Sequence, residues 1–342
     1  MKTNLKQIYQ RIVPVLAIIM LVAINIPVYA QGNTDSNRAA SHYVTVDGKK
    51  MHVVLYGDIS QTDTNVSFTN NNKTTLVMLP ALGVPSPHIY FKPLAQALDT
   101  NFNVVIIEPF GYGLSDLAST TRNVENINNE FNKALEGLGI NECVLLVHSS
   151  SGINGLNFVF DHPEKVKGFI CIDNTVYDDA MLEELALEQE YMLAGVDSFN
   201  ELRDSFSSVQ DFQRALAENP ESYGIALPEV TGYTYSQSDM DEYIQACSLS
   251  CNDNIKDQII HLNSSILTIK DQKFPDTLPV LTLISSANAE NVPGWETGHR
   301  NQLNLSSENH ELYILEGQHY LWYTNLSGIV EHINDWKVTH EF

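Results

Sequence analysis

Side chains able to perform nucleophilic acyl chemistry together stand just beyond three largely apolar runs. "CVLLVH" leads into Ser149, Ser150 and Ser151, "VKGFICI" into Asp173, and "ELYILEGQ" into His319. A serine hydroxyl is a poor nucleophile at neutral pH. An imidazole must take its proton, and a carboxylate must fix the imidazole tautomer and stabilise its cation. The chain order Ser, Asp, His suits one reacting unit. The same chemistry needs backbone N–H groups for the oxyanion; the expected donors are Ser150, at a helix start, and Leu82, in the loop after "VMLP". No spacing of Cys or His matches a zinc site. Acyl transfer on serine asks for no metal and no cofactor, and none is expected.

These groups need a scaffold. Val144–Val147 form a short apolar run, the serines and Gly152 a turn, and Ile153, Leu156 and Val159 recur at helical spacing. The pattern reads as strand, sharp turn, helix. "YVTVDGKKMHVVLYG" (43–57) is two alternating runs around Asp47-Gly48, a hairpin signal. "TTLVMLP" and "NVVIIEP" are buried strands, and helices are expected over 88–98 and 124–138. This alternation predicts an α/β fold: a mostly parallel central sheet with helices on both faces. The rhythm stops after Asp173 and resumes at "LPVLTLIS" (278–285). Residues 42–173 and 276–342 are therefore expected to form one core, and 174–275 a helical insertion with acidic, amphipathic segments. Strand carboxyl ends are where open α/β sheets bind ligands, which puts Ser149, Asp173 and His319 on one side.

"LPALGVPSP", "EPFGYGLSD", "VHSSSG" and "EGQHYL", in that order, make the chain resemble the α/β-hydrolases over nearly all of residues 42–342. The resemblance implies a serine-centred hydrolase with a helical cap over its pocket. Members commonly read Gly-His-Ser-x-Gly-Gly at the turn, which aligns Ser149 as nucleophile; the rival register would use Ser150 and place His148 where the first glycine belongs. Val147 departs from that glycine. Ser151 is expected to be the small residue that lets strand and helix approach, and His148 to support the site rather than react. Many members carry the acid after the strand before last, where "ISSANAENVPGW" offers Glu290 and Asn288 but no aspartate. Some lipases and dehalogenases resemble this chain in placing it at Asp173. Asp173 is the expected acid and Glu290 the alternative. Dehalogenase and epoxide hydrolase relatives use an aspartate nucleophile where Ser149 stands, so cleavage of a carboxylic ester or related acyl bond is expected. Peptidase, C–C hydrolase and cofactor-free peroxidase chemistry could use the same site. A non-enzymatic ligand-binding protein is the contrasting reading, motivated by Val147 and the missing late aspartate.

The chain has 342 residues and a formal charge of −23, which disfavours nucleic acid and anionic membranes as partners. The expected partner is a small, neutral or apolar acyl compound. Lys2, Lys6 and Arg11 precede an apolar run, and "VYA" ends at Ala30. Residues 1–30 read as a secretory signal, giving a secreted or extracytoplasmic protein, or as an N-terminal membrane anchor. Residues 31–41 read as a linker. Cys143 and Cys171 lie in predicted core strands; Cys247 and Cys251 read either as a local disulfide or as two unrelated thiols.

Overall fold

The computed structural model describes residues 38–342 except 63–65 and 70–71. The expected signal or anchor therefore lies outside the described residues. Strands β1 (Ala39–Val46) and β2 (Lys49–Tyr56) form the expected hairpin. Its turn residues, Asp47 and Gly48, both have positive φ, 50° and 78°, the backbone that tight antiparallel hairpins prefer. β1 begins at Ala39, so residues 39–41 of the linker expected over 31–41 are strand instead: Ala40 is buried, and residues 39–41 pair with 54–56; residues 31–37 lie outside the described residues. The polar stretch that follows holds two short paired strands, β3 (Ile59–Gln61) and β4 (Val66–Phe68).

The main sheet adds β5 (Thr75–Leu79), β6 (Asn103–Ile107), β7 (Cys143–His148), β8 (Val166–Ile172), β9 (Val280–Ser285) and β10 (His310–Leu315). Its order is β1-β2-β6-β5-β7-β8-β9-β10. The first two pairings are antiparallel and the other five parallel. Crossover helices α1 (Pro87–Leu98), α2 (Val124–Gly137) and α3 (Ser151–Asp161) connect the early strands. The period of two along each strand sorts the core into two faces. Val77, Val105, Leu145 and Val147 pack with Phe131 and Leu135 of α2 and Ile153 and Leu156 of α3. Leu76, Val104, Val144 and Leu146 pack with Phe91 and Leu94 of α1 and with Trp322, Ile333 and Trp336 of the last helix.

Between β8 and β9 the chain is helical: α4 (Leu182–Asp204), α5 (Val209–Glu218), α6 (Gln237–Leu249), α7 (Asp253–Ile260) and α8 (Leu262–Leu267). Val196, Phe199, Phe212, Leu216 and Ile255 of these helices join the same buried cluster as the α2/α3 face. Polar bonds tie the segment to loops at the sheet's carboxyl ends. Asn252 Nδ2 donates to Gly111 O (2.7 Å), Tyr112 Oη to Gln258 Oε1 (2.8 Å) and Arg122 N to Asp257 Oδ2 (2.6 Å). α9 (Ser286–Asn291), α10 (Trp295–Gln302) and α11 (Leu321–Thr339) complete the chain. Cys143, Cys171, Cys247 and Cys251 are all free thiols, and all buried.

Candidate active site

Ser149 follows β7 directly and takes a left-handed backbone, φ 55°. Ser150 is already right-handed, φ −58°, at the N-terminus of α3. A non-glycine residue in the left-handed region carries strain of order 1–3 kcal/mol, and the fold places it on Ser149, the residue that the sequence register selects. The turn is held from several sides. Ser149 O accepts from Gly152 N (3.0 Å) and Thr175 N (2.8 Å). Ser151 Oγ accepts from His148 N (3.0 Å) and lies 2.8 Å from Leu79 O. Ser151 thus locks the turn onto β5, a stronger role than the small filler expected of it.

Val147, where glycine was expected, is fully buried. The room it needs comes from the facing helix. A Cβ added at Gly155 of α3 would lie 2.7 Å from Val147 Cγ1 and 2.7 Å from Phe169 Cζ. The glycine that lets strand and helix approach has moved from the strand to the helix.

Asp173 ends β8 in a second left-handed turn, φ 43°, and its side chain is buried. Its Oδ2 accepts from His319 Nδ1 (2.8 Å), Asn288 Nδ2 (2.7 Å) and Ser285 Oγ (2.9 Å). Its Oδ1 accepts from Trp295 Nε1 (2.8 Å) and Ser285 N (2.9 Å). Burial alone would raise the carboxyl's pKa. The bond and charge of His319, with the donors from Ser285 and Trp295, outweigh it and hold the group below its ordinary value. Asp173 is therefore an anion facing His319. Ser285 and Asn288 occupy the late strand end where many α/β-hydrolases carry the acid, and both donate to Asp173. Glu290, the alternative acid, is exposed on α9; the carboxylate bonded to His319 is that of Asp173.

His148 is buried and bonded at both ring nitrogens. Nε2 faces His319 O at 2.8 Å, and Nδ1 meets the Tyr90 hydroxyl. A carbonyl only accepts, so Nε2 carries the hydrogen and Nδ1 accepts from Tyr90. Burial, then the proximity of His319, push its pKa well below the ordinary value, so the ring is neutral. It holds the main chain of His319 in place. His88 bridges Tyr56 Oη (2.7 Å) and Glu242 of α6 (2.7 Å), and His299 sits buried against Trp295 O (2.7 Å).

The expected oxyanion donors prove partly engaged. Leu82 N donates to Ser150 Oγ at 2.7 Å, so its N–H is not waiting free. Ser150 lines a small cavity with Leu82, Arg122, Ile153 and Gln258. The Ser150 main-chain N–H belongs to the first turn of α3, where helical N–H groups have no intrahelical acceptor.

Sequence reasoning missed Trp295, 122 residues from Asp173, and the Tyr90–His148–His319 chain. No local pattern marks either. Asn288 was visible in the sequence, though only as an occupant of the late acid position.

The family model described as alpha/beta hydrolase fold matches residues 74–208. The uncharacterized protein YbdG of Bacillus subtilis (strain 168) is 25% identical over 205 residues, 58% of this chain and 56% of that protein. The chain thus spans little more than half the length of this curated relative. Haloalkane dehalogenase DbeA-M1 loop variant from Bradyrhizobium elkanii shares 15% identity at a TM-score of 0.54, over 89% of this chain and 97% of that one. Epoxide hydrolase VrEH1 from Vigna radiata shares 15% identity at 0.56, over 89% and 98%. The 2-hydroxy-6-oxo-6-phenylhexa-2,4-dienoate hydrolase of Rhodococcus sp. strain RHA1 shares 14% at 0.57, over 87% and 98%. At such identities these likenesses bear on the fold.

Proposed function

For a chain of the α/β-hydrolase fold, we propose a serine hydrolase that cleaves a carboxylic ester or related acyl bond, with Ser149 as nucleophile, His319 as base and Asp173 as the group that orients it. The observation that supports this most is the 2.8 Å bond from His319 Nδ1 to an ionised, buried Asp173, with a serine on the strained turn of the neighbouring strand. With Nδ1–H given to Asp173, Nε2 of His319 is the basic nitrogen. Ser149 Oγ attacks the acyl carbon and its proton passes to Nε2. The imidazolium, stabilised by Asp173, then protonates the leaving alkoxide. Water, deprotonated by the same Nε2, cleaves the acyl-Ser149 ester. The Ser150 main-chain N–H, joined by Leu82 N–H once Ser150 Oγ turns aside, stabilises the oxyanion.

In this reading residues 174–275 act as a cap that selects neutral or apolar acyl groups, and residues 1–30 direct the chain out of the cytoplasm or anchor it at a membrane. The test is a panel of p-nitrophenyl esters, amides, epoxides and haloalkanes. Turnover confined to acyl compounds supports the reading; turnover of epoxides or haloalkanes alone overturns it. Within the panel, a neutral ester should outperform a carboxylate-bearing ester of equal size at low salt, and the gap should narrow at high salt, because the acidic surface repels anions until screened.

A further inference from the structure

A second serine–histidine–carboxylate relay lies at the far edge of the sheet, apart from Asp173 and His319. Ser41 is exposed on the edge strand β1, and its Oγ lies 2.7 Å from His52 Nε2. His52, on β2, is buried, and its Nδ1 lies 2.8 Å from Glu108 Oε2. Glu108, just beyond β6, is fully buried and also accepts from Leu114 N (2.8 Å) and His88 N (3.1 Å). Burial favours its protonated form. The bond and charge of His52, with the two backbone donors, outweigh this and hold the carboxyl below its ordinary value. A carboxylate can only accept, so His52 gives Nδ1–H to Glu108. When the ring carries only that proton, Nε2 is an acceptor and the bond to Ser41 is donated by the hydroxyl. This is the polarity that activates a serine.

The surrounding bonds explain why the carboxylate and imidazole stay in place. Ser115 Oγ accepts from His52 N (2.8 Å) and donates to Glu108 O (2.6 Å), tying the loop after β6 to β2. A Cβ at Gly113 would fall 1.8 Å from Glu108 Oε2, so the loop can close over the carboxylate only with glycine there. None of this stapling needs a hydroxyl at position 41 on the solvent side. An amide donor stands beside it: Gln61 Nε2 bonds Ser41 O at 3.0 Å.

We propose that Ser41 is a second acyl-accepting serine, activated by His52 and Glu108, which takes acyl groups from activated aryl esters. Ser41 Oγ attacks the acyl carbon, the bond from that carbon to the aryl oxygen breaks, and the hydroxyl proton passes through His52 Nε2 to the departing phenolate. The products are acyl-Ser41 and a phenol.

The test uses the full chain carrying Ser149→Ala, treated with p-nitrophenyl acetate and mapped by peptide mass. Acetyl on Ser41, slowed at least tenfold when His52→Gln is added, is the expected result. Acetyl on lysines alone overturns the proposal. Because His52→Gln disturbs a buried pair, a second variant tests the relay without touching it. In Ser149→Ala/Ser41→Cys, the rate of iodoacetamide alkylation is followed against pH. The native thiols are buried; burial pushes Cys143 and Cys171 up to about 12 and Cys251 up to about 11, and raises Cys247 also, so the introduced thiol dominates. A midpoint at least one unit below the ordinary free-thiol value of about 8.5 supports activation by the relay. A midpoint near 8.5 contradicts it.

Discussion

His148 Nε2 donates to the carbonyl of His319 across 2.8 Å, so one histidine holds the main chain of another. The supporting ring is buried and neutral, its pKa pushed well below the ordinary value by burial. Its unfolded-state value is about 6.5. Below that pH the unfolded chain binds a proton that the folded chain refuses, so the stability present above pH 6.5 is lost as pH falls towards the depressed folded value.

The wild-type thermal midpoint should therefore fall between pH 7.5 and 5, a window above the titration of ordinary carboxylates. His148→Gln keeps both bonds, an amide donor to His319 and a carbonyl acceptor for Tyr90, but cannot be protonated. Its midpoint should fall less, with the difference approaching about 2 kcal/mol at pH 5. Buried His299 shifts in the same direction and remains in both proteins. Parallel melting curves for the two would assign the acid sensitivity elsewhere.

Asp173→Asn should lower turnover by on the order of 10³- to 10⁴-fold, because a carboxamide neither stabilises the imidazolium nor enforces its tautomer. It also faces the donors of Ser285, Trp295 and Asn288 with one acceptor in place of two, at a cost to stability of about 1–3 kcal/mol. Glu290→Gln, on an exposed side chain, should leave turnover unchanged. Steady-state kinetics on the two variants check this; the reverse pattern would make Glu290 the acid.

Asp173 and its setting show how much a sequence reveals. The strand ends bearing Ser149, Asp173 and His319 were legible because buried parallel strands are short apolar runs with abrupt ends. The hairpin at Asp47-Gly48 was legible because its backbone demands such residues. The five-donor shell around Asp173 was not, since Ser285, Asn288, Trp295 and His319 meet only once the sheet is assembled. Nor were β3 and β4, two three-residue strands in a polar segment, where neither period nor composition marks a strand. The compensation for Val147 lay eight residues away at Gly155, and reads as meaningful only when the helix is laid across the strand.

That compensation is measurable. Gly155→Ala should destabilise the fold by about 1–3 kcal/mol, through contact with Val147 and Phe169. Val147→Gly should cost about 2–4 kcal/mol through the space it leaves and the freedom it gives the strand. Together they should cost at least 0.5 kcal/mol less than their sum, since the added methyl enters the vacated volume. Denaturant unfolding of the four proteins of the cycle reads this directly; strict additivity would mean that Val147 and Gly155 are not partners.

The position of the first covalent adduct identifies the nucleophile most directly. Wild-type protein, treated briefly with an alkyl fluorophosphonate and mapped by peptide mass, should carry its first adduct on Ser149, ahead of any on Ser41. Ser150→Ala should label equally fast, and His319→Gln should slow labelling at Ser149 by orders of magnitude. A first adduct on Ser150, or ester turnover that survives Ser149→Ala at the wild-type rate, would contradict the account.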